Sequence, residues 1–431
     1  MPESPHLSAF APFRQSDFAR LFLVTAAATL GSRALAVVLG YQVYELTGDP
    51  LALGALGLVE AIPSISLALF GGHVADRYDR RAILRVTLGL SMVCAAVFAG
   101  LESFGTGTLQ LIVLYALVFI AGIARGFAGP ASAALEAQVV PWELLVHSSV
   151  LMASCWLSAA VIGPLVGGVV YKLFGPTVTY GGIAVLYAIA WETVRHMAPR
   201  PVERTHHDES IWESVAVGVR YVVHDQVLLG SMALDLFAVL FGGAIALLPV
   251  FASDILHVDT VGLGILNAAP TTGALLTMLW AMRRPPVTHA GRNLLVAVAG
   301  FGVAMIVFAL STSFWLSVVA LFVSGVCDGV SVVIRRSILR LLSPDHLRGR
   351  IASVSLIFIG SSNELGALES GVAARYLGTV PSVWIGAIVT LAVVAVTAVF
   401  TPDLRRLSLD PQRAARRDAE MDREIDEKTE V

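Results

Sequence analysis

The chain has 431 residues, of which 56% are hydrophobic and 14% are charged, and its formal net charge is −3. Soluble domains carry about a quarter of charged residues, so this composition excludes an ordinary soluble protein and indicates lipid as the solvent. A chain without a cationic excess offers no basic face to phosphates, so we expect no nucleic-acid partner.

The chain shows no convergent set of catalytic or metal-binding groups. The cysteines Cys94, Cys155 and Cys327 lie in apolar runs and are spaced neither for a zinc site nor for a disulfide framework. His206 and His207 are adjacent in a polar stretch and lack a converging third ligand. We therefore expect neither an enzyme nor a cofactor.

Apolar runs of about twenty residues recur along the chain, and each is long enough to cross about 30 Å of hydrocarbon. The N-terminal segment 1–18 lacks the pattern of a cleaved signal peptide, so we expect the first span to remain in the membrane. The runs predict twelve transmembrane helices near 18–45, 51–72, 80–101, 109–138, 144–173, 178–197, 226–255, 260–281, 292–311, 314–341, 350–376 and 381–400.

A polar linker separates the spans into two sets of six. It ends in a half-apolar stretch, 211–224, that predicts a helix lying at the membrane interface. The predicted organisation is a cytoplasmic N-terminus (1–17), an N-terminal bundle (18–197), a linker (198–225), a C-terminal bundle (226–400) and a charged cytoplasmic tail (401–431).

The positive charges predict the orientation. Arginines concentrate in the loops after even-numbered spans, whereas the loops after odd-numbered spans hold little beyond Lys172 and Arg375 near their edges. Cationic loops remain in the cytoplasm, so we expect both termini to face it.

The two halves carry an internal repeat. An offset of 203 residues superposes identical residues, among them Gly122, Gly126, Gly163, Gly168 and Gly175 on Gly325, Gly329, Gly366, Gly371 and Gly378. For the second and eighth spans an offset of 207 places Pro63 on Pro270 and Glu60 on Asn267. Duplicated six-helix halves are typical of transporters whose substrate site lies between the repeats.

The segment 71–81, GGHVADRYDRR, resembles the signature loop of the major facilitator superfamily, Gly-x-x-x-Asp-Arg-x-Gly-Arg-Arg between helices two and three. The matching residues are Gly72, Asp76, Arg77, Arg80 and Arg81. Asp79 occupies the position of the family's second glycine. The resemblance covers about 13–400 and implies an all-α polytopic membrane protein with twelve transmembrane helices in two pseudo-symmetric six-helix bundles.

This loop is expected to act as a conformational latch. The Asp76 carboxylate would accept backbone N–H groups where the eleventh helix begins, around 349–351, since an anion there is favourable by about 0.3–1 kcal/mol. Arg80 would meet Glu136 at the cytoplasmic end of the fourth helix. The alternative is a solvated loop that only fixes the orientation.

Within the superfamily, the closest resemblance is to the enterobactin-exporter and macrolide-efflux group. It is carried by the fragments 13–23, 43–65, 70–81 and 139–171. Gly163 and Pro164 in the fifth helix resemble the gating motif of exporters, and Gly366 is the repeat equivalent of Gly163. The resemblance implies export across a bacterial inner membrane.

Four charges lie deep in predicted spans: Arg33, Arg125, Asp235 and Asp328. A charge at mid-membrane costs about 2.5–3.5 kcal/mol, so each needs a partner or a function. The offset of 203 places Arg125 on Asp328 and Arg33 one residue from Asp235. The resemblance implies that their helices line a central cavity with one cationic and one anionic wall.

Two hypotheses remain for these charges. Arginine–aspartate pairs could simply hold the halves in register, or they could form in only some states and be broken by a proton or a substrate. Glu60, Glu364 and Glu369 are further candidates for protonation.

The expected function is proton-coupled export of an amphipathic organic molecule, such as a siderophore or a drug, by alternating access. The proton-motive force would supply the energy, and the monomer would be the functional unit. One alternative is a facilitator or flippase for a lipid-like substrate, such as a lysophospholipid, or for a nutrient. Another is a non-transporting membrane receptor or scaffold that binds a partner through the tail 401–431.

Overall fold

A computed structural model of the chain describes residues 10–101, 107–199, 211–242, 244–284, 286, 288–343 and 347–409. The regular structure of these residues is helical. The helices are α1 (Ser16–Thr47), α2 (Pro50–Arg77), α3 (Arg80–Gly100), α4 (Thr108–Val139), α5 (Leu145–Arg195), α6 (Ile211–His224), α7 (Gln226–Gly242), α8 (Leu248–Val250), α9 (Thr260–Arg283), α10 (Ala290–Leu310), α11 (Phe314–Leu342), α12 (Arg348–Leu377), α13 (Thr379–Phe400) and α14 (Pro402–Arg406).

The predicted spans fall on these helices, except that the seventh continues beyond α7. Ten stretches of the described residues are long and apolar enough to cross a membrane. The longest, on α5, contains the fifth and sixth predicted spans, which are separated at Gly175 by a φ of 78° that breaks the helix. Helix α12 covers the predicted eleventh span. The expected all-α polytopic fold is therefore confirmed.

The seventh predicted span is irregular at its end. After α7 the chain continues through a 3-10 turn (Ala244–Leu247), α8 and a π-helical turn (Phe251–Ile255). Single π turns inside helices are uncommon and concentrate at functional sites. This end of the seventh span is therefore a candidate functional region.

Aspartates begin several of the helices. The Asp49 carboxylate accepts the Leu51 N–H at 2.9 Å at the start of α2, and Asp259 does the same for Val261 at the start of α9. The first N–H groups of a helix have no partner within the helix, and aspartate satisfies one of them. These short polar caps let the chain reverse direction between adjacent apolar helices.

The chain forms two compact units. Unit 1 comprises 1–208, 244–271 and 367–379, and unit 2 comprises 209–243, 272–366 and 380–431. Unit 1 thus combines the whole first half of the sequence with two segments of the second half. The predicted bundles 18–197 and 226–400 follow the sequence repeat rather than these units, and their boundaries stay a prediction.

Unit 2 contains a hydrophobic core formed by α7, α10, α11 and α13. Its buried members include Leu228, Leu294, Ile334 and Ile338. The predicted interfacial helix forms as α6, and Val222 near its end is 3% exposed and joins this core. The core fixes the rotation of α7 and α11 about their axes, and with it the position of the charges that these helices carry.

The repeat register of the second and eighth spans differs from the predicted one. Gly126 packs against Ser64 and Leu67 of α2, whereas its equivalent Gly329 packs against Ala274 and Thr277 of α9. These contacts correspond at an offset of 210, so the predicted 207 is wrong. The error of three residues is close to one helical turn, which leaves the apolar pattern nearly unchanged. Glu60 is therefore the counterpart of Pro270, not of Asn267.

The register of the first and seventh spans also changes. Gly163 lies against the carbonyl oxygen of Leu30 and Gly366 against that of Val239, at an offset of 209. Arg33 and Asp235 are consequently about two turns from equivalent positions, and the predicted near-superposition of these two charges is wrong. The superposition of Arg125 on Asp328 is kept, because α4 and α11 follow the offset of 203.

Candidate functional site

Unit 1 encloses a cavity of about 770 Å³. The helices α1 to α5 supply most of its wall, and the second half of the chain contributes Ile245, Ala246, Pro249, Asn267 and Ala367. Most lining residues are apolar or small, with a few polar groups among them. Ligand sites in proteins typically measure about 300–1,000 Å³ and combine apolar walls with a few polar groups.

Four charged residues line this cavity: Arg33, Glu60, Arg125 and Glu136. Arg125 Nη2 forms an ion pair with Glu60 Oε1. The Arg33 guanidinium lies 4.9 Å from the centre of the Trp156 ring, in a cation–π arrangement, and is within electrostatic range of both Arg125 and Glu60. Arg33, Arg125 and Glu60 form a cluster with one surplus positive charge.

Glycine brings the helices of this ion pair together. A side chain at Gly122 of α4 would collide with the backbone carbonyl of Glu60, so α2 and α4 approach closely here. Arg125 follows one turn later and reaches the Glu60 carboxylate. Its partner in this structure is thus a glutamate of its own half, not the aspartate of the second half that the sequence suggested.

Unit 2 holds a second charge cluster, formed by Asp235 of α7 with Asp328 and Arg335 of α11. Arg335 Nη1 forms an ion pair with Asp235 Oδ2, and Arg335 Nη2 lies 3.8 Å from Asp328 Oδ1. The exposed fractions of the side chains are 9% for Asp235, 11% for Arg335 and 48% for Asp328. This cluster has one surplus negative charge.

Sequence reasoning missed Arg335 because this residue, although inside the predicted span 314–341, was counted only among the arginines that set the orientation. Helix α11 extends to Leu342, so Arg335 lies inside the helix. The signal that could have found it is the spacing of seven residues from Asp328, which places both side chains on one face of a helix.

The two glutamates of α12 belong to different units. Glu364 is partly buried in unit 2, and Glu369 is partly buried in unit 1, where it hydrogen-bonds to Ser370. Neither is among the residues that line the cavity. Their predicted role in protonation stays a prediction.

The signature loop is organised by Asp79. This residue has a φ of −58°, accepts the Arg81 N–H at 3.0 Å and pairs with Arg81 Nη2 at 2.9 Å. Desolvation raises the pKa of Asp79, but the hydrogen bonds and charge of Arg81 outweigh it and hold the pKa below its usual range. Position 79 is therefore occupied by a residue that caps α3, in place of the glycine of the family pattern.

The other latch residues are arranged differently from the prediction. Arg81 donates to the carbonyl oxygen of Met197 at the end of α5, and Arg80 Nε donates to that of Ala75 at 3.1 Å. Glu136 lines the cavity and hydrogen-bonds to Ser149. The expected pair of Arg80 with Glu136 is thus replaced by these contacts.

The remaining part of the latch stays a prediction. Asp76 and Arg77 are exposed, and the side chains at 348–350, where its partner was expected, lie outside the described residues. A side chain at Gly72 would meet no atom within 4 Å, whereas one at Gly71 would collide with the carbonyl oxygen of Gly126. The close approach of α2 to α4 thus occurs at Gly71, the first glycine of the loop.

The exporter-like pair Gly163 and Pro164 lies at two helix contacts. A Cβ atom at Gly163 would be 2.7 Å from that of Arg33, so this glycine lets α5 approach α1 beside the charged cluster. A Cβ atom at Gly264 of α9 would be 2.5 Å from the Pro164 carbonyl oxygen. Both residues therefore position helices that line the cavity.

Two further ion pairs join the helix ends of unit 1. Lys172 Nζ lies 2.6 Å from Asp259 Oδ2, and Arg375 Nη1 lies 2.5 Å from Asp49 Oδ2. We call these four residues the clasp. Asp254 of the π-helical turn also accepts a hydrogen bond from Tyr44 of α1. Segments from the second half of the chain are thereby attached to helices of the first half.

A family model described as transmembrane secretion effector, MFS_3, matches residues 7–429. The chain belongs to this family, which is a branch of the major facilitator superfamily. The multidrug efflux pump Tap of Mycolicibacterium fortuitum is 24% identical over 404 residues, which cover 90% of this chain and 97% of that protein. The enterobactin exporter EntS of Citrobacter koseri is 22% identical over 398 residues, covering 91% and 94%.

Solved structures share the fold. A bacterial homologue of the human lysosomal transporter Spinster, in an inward-facing and unoccupied conformation, matches with a TM-score of 0.71 at 13% identity, covering 91% of this chain and 98% of its own. A POT family transporter in complex with 5-aminolevulinic acid matches with a TM-score of 0.73 at 11% identity, covering 90% and 97%. The predicted superfamily and exporter group are confirmed, and the protein is a membrane transporter rather than an enzyme.

Proposed function

We propose that the protein exports an amphipathic organic molecule by alternating access and that protons flowing inward drive the export. The observation that carries this proposal is the 770 Å³ cavity, whose wall combines apolar helix faces with Arg33, Trp156 and the Arg125–Glu60 pair. A drug-sized molecule fits such a volume.

The cavity chemistry favours an amphipathic substrate over a sugar or an inorganic ion. Apolar residues of α1, α2 and α4 can cover a hydrophobic body, and the indole of Trp156 is 45% exposed and can stack on a ring. The charged residues provide one polar region for an ionic or hydrogen-bonding group. The relatives are named as a multidrug efflux pump and an enterobactin exporter, which supports an organic substrate.

The same comparison supports the proposed direction and location. The relatives are named as an efflux pump and an exporter, which supports outward transport across a bacterial inner membrane. The arginine-rich even-numbered loops support a cytoplasmic position for both termini. Proton coupling is supported by carboxylates inside the spans, which cost free energy unless they are paired or neutralised.

The scaffold alternative depends on the tail 401–431, of which 410–431 lie outside the described residues. Deletion of 410–431 separates the two functions. An exporter with this deletion keeps its transport, whereas a scaffold loses its phenotype.

The test of the proposal is a strain that lacks the protein, complemented with the wild type or with Trp156→Ala. The strain is screened for susceptibility to amphipathic drugs and for secreted organic metabolites. We expect increased susceptibility or reduced secretion, rescued by the wild type and only weakly by the variant. Identical profiles for the deletion and wild-type strains across the screen would reject export.

A further inference from the structure

Near the end of α5 one aromatic side chain lies beside two arginines. The Arg195 guanidinium is 5.1 Å from the centre of the Trp191 ring, and the Arg85 guanidinium of α3 is 6.0 Å from it. Both arginines are exposed, and Trp191 is partly exposed. We propose that these three residues, together with the exposed apolar face of α3 beside them, bind a membrane phospholipid that has an anionic headgroup. We call them the lipid site.

The lipid site lies where α3 begins and α5 ends. Arg85 is in the second turn of α3, which begins at Arg80, and Arg195 is the last residue of α5. A Cβ atom at Gly89 of α3 would be 3.3 Å from Trp191 Nε1, so the two helices meet here. Tryptophan is typical of the boundary between hydrocarbon and water, and a long arginine side chain can extend to it. This composition therefore suits contact with lipid headgroups.

The charges around Trp191 do not cancel. Glu192 Oε2 lies 2.8 Å from Arg195 Nη1 and neutralises this arginine. Within the described part of the chain, Arg85 has no carboxylate partner at ion-pair distance. The lipid site thus has one surplus positive charge, which a single phosphodiester group would neutralise.

The other polar groups at this end of the helices already have partners. Arg81 pairs with Asp79 at 2.9 Å and donates to the Met197 carbonyl oxygen. The Nδ1 atom of His196 lies 2.9 Å from the Glu192 carbonyl oxygen. In this described region Arg85 is therefore the cation that is left for a partner outside the chain.

An apolar row on α3 continues from the charged residues into the membrane. Val86 is 70% exposed and Val93 is 52% exposed. Residues seven apart lie on one face of a helix and are separated by about 10 Å along its axis. Gly89 lies between them and has no side chain that would interrupt the row. An acyl chain can therefore lie along this face while its phosphate contacts Arg85.

The lipid site is separate from the cavity. Arg85, Trp191 and Arg195 are not among the residues that line the cavity. Other residues of α3 do line it: Leu84, Thr87, Leu88 and Ser91. The cavity and the exposed row thus use different faces of the same helix. A molecule bound at the lipid site approaches from the bilayer, so its source is the membrane and not the transported substrate.

Charge complementarity selects among membrane lipids. A zwitterionic headgroup would bring a second cation towards Arg85, whereas the headgroup of phosphatidylglycerol brings one negative charge alone. The planar guanidinium can donate two parallel N–H groups to phosphate oxygens. Basic pockets between transmembrane helices bind anionic headgroups in this way. In the proposed orientation the lipid site faces the cytoplasmic leaflet, whose surface potential is negative.

The experiment that tests the site is a lipid titration of the purified, substrate-free full-length protein, in which native mass spectrometry counts the bound lipids. The protein is equilibrated with phosphatidylglycerol or with phosphatidylcholine that carries the same acyl chains. We compare the wild type with Arg85→Gln, Trp191→Leu and Glu192→Gln. The exposed Arg340 near the end of α11 provides the matched control Arg340→Gln. Circular dichroism verifies that each variant keeps its helical content.

We expect the wild type to bind one phosphatidylglycerol roughly tenfold more tightly than phosphatidylcholine. Arg85→Gln should weaken the binding of phosphatidylglycerol roughly tenfold, because charge-assisted hydrogen bonds to the phosphate are lost. Trp191→Leu should weaken it less, because both guanidinium groups remain. Glu192→Gln should strengthen it, because Arg195 loses its carboxylate partner and becomes available to the phosphate.

Three results would overturn the assignment. Equal binding of the two lipids by the wild type would remove the selectivity for an anionic headgroup. Equal losses in Arg340→Gln and Arg85→Gln would show a diffuse attraction to the basic end of the protein. Complete displacement by soluble glycerol phosphate would indicate a site for small anions instead of a lipid. All three measurements are made without transport, so they are independent of the proposed export.

Discussion

Lys172 and Arg375 are repeat equivalents, and each binds the aspartate that caps another helix of unit 1. Lys172 of α5 binds Asp259 of α9, and Arg375 of α12 binds Asp49 of α2. The glycines beside these pairs are also repeat equivalents with equivalent contacts. Gly168 packs on the Thr260 carbonyl, and Gly371 packs on the Pro50 carbonyl. The clasp is therefore a duplicated contact between helix ends of unit 1, and we expect it to limit access to the cavity at the end where these residues lie.

Removing the charge of the clasp should open this end of the cavity. Asparagine remains a good helix cap, so Asp49→Asn and Asp259→Asn remove the ion pairs and keep the caps. An exposed pair contributes about 0.2–1 kcal/mol, so each substitution should increase opening by up to about fivefold. The measurement is labelling of Leu53→Cys, a buried cavity residue, by a membrane-impermeant thiol reagent added outside, after the native cysteines have been replaced by alanine.

The double variant Asp49→Asn/Asp259→Asn should be labelled faster than either single variant. Replacement of Asp403, which lies outside the clasp, is the control and should not change the rate. Equal labelling of the wild type and the double variant would show that the pairs do not hold this end closed.

The clasp should resist mild acid. The hydrogen bond from Lys172, and to a lesser extent the backbone N–H groups of Gly262 and Val261, hold the pKa of Asp259 below its usual range despite some desolvation. A carboxylate with a lowered pKa contributes stability above its unfolded-state pKa and loses it as the pH falls through the folded-state value. In the Asp49→Asn background, where the Lys172–Asp259 pair remains, labelling should stay constant from neutral to mildly acidic pH. A rise already at mildly acidic pH would show that the pair titrates in the ordinary range.

The helix contact beside the clasp should not tolerate a methyl group. A Cβ atom at Gly168 would collide with the Thr260 carbonyl oxygen, whereas one at Gly181 of the same helix would meet no atom within 4 Å. Overpacking typically costs about 1–3 kcal/mol, so Gly168→Ala should lower the thermal stability and Gly181→Ala should not. The midpoint of thermal unfolding in detergent measures both, and equal midpoints would contradict the close packing.

The Arg125–Glu60 pair should be recoverable by exchanging its charges. Glu60→Gln leaves two unbalanced arginines beside the cavity, so we expect transport to fall at least tenfold. The swapped double variant Glu60→Arg/Arg125→Glu restores the charge balance and should recover part of the activity. Transport by the double variant that is no better than that of the worse single variant would indicate that the individual positions matter more than the pair.

The sequence predicted the fold well because its signals are local. Twenty-residue apolar runs and the loop around Asp76 do not depend on tertiary packing, and α1 to α13 cover the spans that they predict. The offset of 203 was also reliable where turn residues supported it independently of the apolar pattern. Gly175 and Gly378, which it superposes, both have positive φ values, 78° and 91°.

The charge partners could not be predicted in the same way. Arg125 pairs with Glu60 because Gly122 lets α4 approach α2 closely. Predicting this pair requires knowing how both helices are rotated about their axes. Glu60 was itself misplaced in the repeat, because a shift of three residues leaves the apolar pattern nearly intact. Arg335 was missed because it was counted among the arginines that set the orientation, although it lies inside both the predicted span 314–341 and the observed helix.

The central claim is gradient-driven export through the cavity, and its most direct test is ethidium uptake into inside-out membrane vesicles with and without an imposed proton gradient. We predict that vesicles containing the protein accumulate the dye several-fold more when their lumen is acidic. A protonophore should abolish this gain, and Trp156→Ala should reduce it. Accumulation that is indifferent to the gradient, or equal in vesicles without the protein, would contradict the account.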